Sequence, residues 1–226
     1  MTERRLAYIL VGMNMGASAV ATEQRSRDPE RTRARLIECA FREIRERGFE
    51  GASLDRILAD TGVTKGALYH HFGSKAELLH AVIDEAIAGM IEERWLAALA
   101  RSEDPISELR AGIVGTAGSL TDEDIAWGCP LNNITQEMAA TDDELRAHVE
   151  RLYSGWRDSI AAALERGQKA GNVRGDVDPA GAAAFIVAGI EGLAGTTKSH
   201  RSRAIAGATL QEFVRYLEGM RPLETG

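Results

Sequence analysis

Gly62-Val63-Thr64-Lys65-Gly66-Ala67-Leu68-Tyr69-His70-His71-Phe72, followed by Gly73-Ser74-Lys75, decides the fold of this chain. Gly62 can take the positive φ that a tight turn demands. Thr64 caps a helix, and Leu68 and Phe72 recur at a spacing that buries one side of it. Thr64, Lys65, Gly66, Tyr69 and His70 are left for the other side. Just upstream, Ser53 caps a helix whose Leu54, Ile57 and Leu58 form an apolar side, and Val63 fills the angle between the two helices. Two short helices joined in this way read as a helix-turn-helix. Thr, Lys, Tyr and His on the second helix suit the DNA major groove.

Working outward, Leu36, Ile37, Ala40, Phe41 and Ile44 predict a first helix over residues 30–47, closed by a left-handed stop at Gly48. Ser74, with Glu77 at the capping-box position, opens a long fourth helix carrying Leu78, Leu79, Val82, Ile83, Ala86, Ile87, Met90 and Ile91. Pro105 suits a first helical turn. Thr121 to Asp124 reads as an acidic loop, Pro130 as a helix start, and Thr141 with Glu144 as the next cap. Asp178-Pro179 opens a further helix, a polar loop follows over residues 196–203, and a last helix runs to Met220. The expected fold is all-α, with about nine helices. Residues 26–75 form a three-helix head and residues 76–226 a helical body.

The net charge of −7 hides a split. Residues 25–75 hold 11 Lys and Arg against 8 Asp and Glu, and residues 76–226 hold 14 against 24. A mildly basic head on an acidic body favours docking on phosphate through the head alone. Two cysteines, Cys39 and Cys129, make no disulfide framework and fit a reducing cytoplasm. Arg4-Arg5 before an apolar run to Val20 has the look of a secretory signal. It is read instead as an N-terminal extension over residues 1–25, or a start placed too early, with Met13 and Met15 as alternatives. No stretch is expected to span a bilayer.

Over residues 32–82 the chain resembles the DNA-binding head of TetR (tetracycline-repressor) regulators. The resemblance rests on the Arg-rich first helix, Gly48-Phe49, Ser53-Leu54 with Ile57 and Gly62-Val63-Thr64, and Gly66 to Phe72 with Lys75-Ala76-Glu77-Leu78-Leu79. Leu58 and Thr61 depart from the small residue common there. In the body, Trp127-Gly128-Cys129-Pro130-Leu131-Asn132-Asn133 with Gln136, then Gly171-Asn172-Val173-Arg174 and Ile190-Glu191-Gly192, are similar to one subgroup of these regulators. The resemblance implies a cytoplasmic homodimer, paired through the last two helices, on double-stranded operator DNA. It implies a small-molecule effector in the body and no cofactor, metal or membrane. The chain then reads as a transcriptional regulator of the repressor type rather than an enzyme, with an activator of the same fold as the alternative.

The candidate DNA-contacting residues are Arg33, Ser53, Thr64, Lys65, Gly66, Tyr69, His70 and Lys75, against a plainer reading of caps and solvated cations. The candidate effector residues are Trp127, Cys129, Asn132, Asn133, Gln136, Trp156, Phe185 and Glu191, against capping and packing. Cys129 also admits a thiol-hydrolase reading, which needs a basic neighbour such as His148. The His and Cys residues show no metal-ligand spacing.

Overall fold

The computed structural model describes residues 28–222, so the expected extension over residues 1–25 lies outside the described residues. Among the described residues there are helices and turns and no strand. α1 (Pro29–Gly51), α2 (Leu54–Thr61) and α3 (Lys65–His71) make the head. α4 is one long helical run made of Lys75–Ala81, the π-helical Val82–Ile87, Ala88–Ile91, the π-helical Glu92–Leu96 and Ala97–Leu99. The body continues through α5 (Pro105–Ser119), α6 (Asp122–Trp127), α7 (Pro130–Met138), α8 (Asp143–Lys169), α9 (Pro179–His200) and α10 (Arg203–Glu218).

Side-chain caps set most starts. Asp28, Thr64, Ser74, Asp104 and Asp178 each accept a first-turn N–H, and prolines occupy the first turn of α1, α5, α7 and α9. The apolar stripe of α4 is buried where it crosses α1 and α8. α8 and α9 pack along much of their length, and α10 closes over α5 and α9.

Several boundaries differ from the sequence reading. Gly48 has φ 80 and ψ 173, a positive φ but not a left-handed helical stop, and helix resumes through Gly51. Thr121 to Asp124 is no loop: its two side chains form a complete capping box for α6. Asp142 rather than Thr141 caps α8, its carboxylate accepting from Leu145 N–H at 2.9 Å. The polar stretch expected as a loop is helical to His200, with Thr197 buried and Lys198 Nζ donating to Asn133 Oδ1 of α7 at 3.0 Å. α9 is also long and apolar enough by length and composition to cross a membrane, with a mean hydropathy of 1.3 in its best window. Its alanines, with Phe185, Ile186, Val187, Ile190 and Leu193, supply that mean, and 33% of the window is buried.

Candidate nucleic-acid interface and body cavity

α3 buries Leu68 completely and its C-terminal neighbour Phe72 nearly so. Its opposite side carries Thr64, Lys65, Gly66, Tyr69 and His70, all exposed. Thr64 Oγ1 accepts from Ala67 N–H at 3.2 Å, so the cap is made and the first turn is fixed. A Cβ added at Gly66 would meet no protein atom within 4 Å, so packing within the protein does not ask for glycine there. Gly62 takes φ 64 at the turn. Lys75 opens α4 half-buried, with Nζ 3.4 Å from the Glu50 carbonyl.

Two candidates differ from expectation. Ser53 precedes α2 but makes no side-chain cap bond. Its N–H donates instead to buried Glu43 at 3.2 Å, a carboxylate also held by Arg56. Arg33 is committed to Glu85 on α4 through two guanidinium bonds, one of 2.7 Å, and lies 5.1 Å over the Phe72 ring. That bridge ties α1 to α4.

Two further ties join the head to the body. Glu137 on α7 accepts from Phe49 N–H at 2.8 Å and Glu50 N–H at 2.7 Å, capping the break in α1. Gly48 takes φ 80, which favours glycine, and a Cβ there would stand 2.8 Å from Glu137 Oε2 and push that carboxylate aside. Arg45 donates to Asp124 at 2.7 Å and lies 4.7 Å over the Trp127 ring. Burial alone would raise the Asp124 carboxyl, but bonds from Arg45 and Thr121 hold it below the usual range. Neither tie to the head is marked by local sequence pattern, since the partners lie 88 and 79 residues away; Asp124 is legible locally only as the capping-box partner of Thr121.

The body encloses a cavity of about 440 Å³ between α4, α5, α6, α8, α9 and α10. Its walls are largely apolar, with Trp95 and Trp156 at a ring-centroid distance of 5.7 Å. Of the expected effector residues, Cys129, Trp156 and Glu191 line it. The Cys129 thiol donates to Glu191 Oε1 at 3.3 Å. Burial pushes the Glu191 carboxyl up to about 7. Burial, and then the Glu191 charge, pushes the Cys129 thiol far up. That opposes the thiolate a hydrolase would need, and His148 pairs with Asp84 instead.

The other five expected residues are elsewhere. Asn132 donates to the Glu191 carbonyl at 3.0 Å, and Asn133 donates to the Trp127 carbonyl at 2.7 Å. Both amides therefore join backbone, the plainer of the two readings. Trp127 and Gln136 line a separate surface groove beside α1, and Phe185 is 55% exposed.

Sequence reasoning missed Arg94 and Thr197 on the cavity wall. Arg94 is accessible by area, yet surrounding chain desolvates it and lowers its pKa, helped by the charge of Arg45. An open cavity wall reconciles the two. Buried Arg45 Nε, Trp156 Nε1, Glu191 Oε2 and Thr197 Oγ1 have no hydrogen-bond partner among the described residues, and all four residues line this cavity. Unpaired buried polar atoms are costly, and a polar guest would satisfy these.

Outside the cavity, α9 and α10 present Phe185, Ile205 (52% exposed) and several alanines to solvent, with Phe185 packed 4.7 Å from Tyr216.

Comparison with known proteins covers both halves. Residues 36–82 match the model for bacterial regulatory proteins of the tetR family, and residues 105–213 match the tetracyclin repressor-like C-terminal domain. The chain is 30% identical to the HTH-type transcriptional repressor AcnR of Corynebacterium efficiens, across 66% of this chain and 72% of that protein. It is 27% identical to the HTH-type transcriptional repressor DhaR of a Mycobacterium species, across 76% of this chain and 84% of that one. A TetR transcriptional regulator from Chloroflexus aurantiacus, 27% identical, has the same fold with a TM-score of 0.73, covering 85% of this chain and 97% of that one. With the family matched in head and body alike, this chain belongs to the TetR family of DNA-binding transcriptional regulators.

Proposed function

We propose that the protein is a cytoplasmic, homodimeric repressor that leaves its operator when a small molecule enters the body cavity. The observation that carries this reading is the exposed side of α3, where Thr64, Lys65, Gly66, Tyr69 and His70 stand opposite a fully buried Leu68. Recognition helices meet the major groove with such first-turn residues, and two heads of a dimer span one helical turn of DNA. Lys75 contributes a phosphate contact from the start of α4, whereas Arg33 acts through its bond to Glu85. On this reading residues 26–75 are the DNA-binding domain and residues 76–226 the effector and dimerisation domain.

The effector we infer is an amphipathic molecule with an anionic or acceptor group for Arg94 and Trp156. An apolar body would rest on the two tryptophans, and a donor would reach Glu191 Oε2. The volume lies in the ordinary range for such sites. The Gly128-Cys129-Pro130-Leu131-Asn132 segment, taken as the mark of a subgroup, supports this use because Cys129 and Asn132 both bond Glu191. An effector that favours one head orientation shifts the population away from DNA. α4 supplies the mechanical link, since it contacts α1 at one end and lines the cavity with Arg94 and Trp95 at the other.

Fluorescence anisotropy with the DNA flanking the protein's own gene tests the reading. At two salt concentrations, tight, salt-sensitive binding is expected to that DNA and not to a scrambled duplex. The Lys65→Ala, Tyr69→Ala double variant is expected to lose it. A folded dimer that binds no DNA would overturn the interface.

A further inference from the structure

Where α4 leaves the head and crosses α8, two helical pairs of metal-ligating side chains meet. His80 and Asp84 stand four residues apart on α4, and Glu144 and His148 stand four residues apart on α8. That spacing puts each pair on one helix face. His148 Nδ1 lies 3.2 Å from Asp84 Oδ1, and His80 Nδ1 lies 3.7 Å from Glu144 Oε1. The two imidazoles stack at 4.4 Å between ring centroids. One ligand atom each from His80, Glu144 and His148 falls within 4.8 Å of the others. The imidazoles are largely sheltered, at 16% side-chain exposure, and the carboxylates reach outward at 49% for Asp84 and 76% for Glu144.

We propose that His80, Asp84, Glu144 and His148 bind one divalent transition ion of the zinc class and so fasten α4 to α8. Two nitrogens and two oxygens are a ligand set that zinc accepts in tetrahedral geometry. Metal–ligand bonds of about 2.0–2.1 Å require neighbouring ligand atoms roughly 3.3 Å apart. The two His–carboxylate separations already lie near that value; Asp84, outside the group formed by His80, Glu144 and His148, is half-exposed and can turn in to complete the set. Two separate ion pairs are the rival arrangement. In those pairs each imidazole meets one carboxylate alone, whereas a metal would gather both rings and both carboxylates at one centre. Glu85 of the Arg33–Glu85 bridge directly follows Asp84, so an ion there would restrain the helix that carries the head.

The test uses the full chain stripped with a chelator and titrated calorimetrically with zinc chloride. Saturable uptake of one ion per chain is expected, with a rise in thermal midpoint that chelator reverses. Cobalt(II) should give visible d–d bands without thiolate charge transfer, which separates this site from Cys39 and Cys129. The Asp84→Asn, Glu144→Gln variant keeps side-chain shape and is expected to lose both the uptake and the midpoint shift, as is His80→Gln, His148→Gln. Absence of saturable uptake by the parent chain, or uptake unchanged in a folded variant of either kind, would overturn the proposal.

Discussion

Gly66 and Leu68 stand two residues apart on α3 and answer to different demands. Leu68 has no exposed surface, so a smaller side chain opens a cavity in the head. Gly66 faces open space, and alanine there should stabilise the helix by about 0.5–1 kcal/mol. If the glycine admits a DNA backbone, Gly66→Ala will melt at the same or a higher temperature and bind operator more weakly. Equal operator affinity would remove Gly66 from the interface. Glu191 makes a second prediction at this scale. Burial lifts its carboxyl from an ordinary 4.5 to about 7, so between those values the folded chain holds a proton that the unfolded chain releases. The stability this protonation provides is complete below the unfolded pKa and is lost as pH rises through 7, about 3 kcal/mol in all. Glu191→Gln should therefore gain on the parent above neutral pH and lose that advantage in acid, read as thermal midpoints across the range. A difference that does not change with pH would contradict the burial argument.

Helix starts were legible where a side chain caps its own helix, because the donor and acceptor lie within three residues. Thr64 and Ser53 show the limit of that rule. Both precede a helix with the right residue type, but only the Thr64 hydroxyl closes its bond; the Ser53 hydroxyl accepts from no α2 N–H, while its own backbone N–H goes to Glu43. Thr64→Ala should cost about 1 kcal/mol and Ser53→Ala a few tenths, measured by denaturant unfolding. A full cap cost at Ser53 would mean that its hydroxyl bonds α2 in solution. The break in α1 belongs to this scale too. Phe49 and Glu50 have their N–H groups satisfied from α7, so Glu137→Ala should destabilise by about 1–2 kcal/mol. Hydrogen exchange should rise at those two amides above all. Uniform exchange across α1 would show that the head does not depend on this tie.

At the scale of the whole molecule, α9 and α10 carry Phe185 and Ile205, two of the four large apolar side chains exposed among the described residues. Phe185→Asp should convert a dimer to a monomer by sedimentation and weaken operator binding roughly hundredfold or more through lost bivalency. A variant that stays dimeric would move the pairing face elsewhere. The sequence by itself determined the helical class, the helix-turn-helix and the side of α3 that faces outward. Those follow from caps, turns and a 3.6-residue period, all of which act between near neighbours in the chain. Only the tertiary structure decided what the polar residues of the body do. Asn132 and Asn133 bond backbone and Gln136 lies on the surface, while Cys129 meets Glu191 across 62 residues at a cavity that also takes in Arg94 and Thr197. His148 reaches Asp84 across 64 residues by the crossing of two helices. An apolar residue is assigned by the face it repeats on, because burial is non-directional. A polar residue is assigned by its partner, and helix packing brings that partner from a part of the chain that local pattern does not reach.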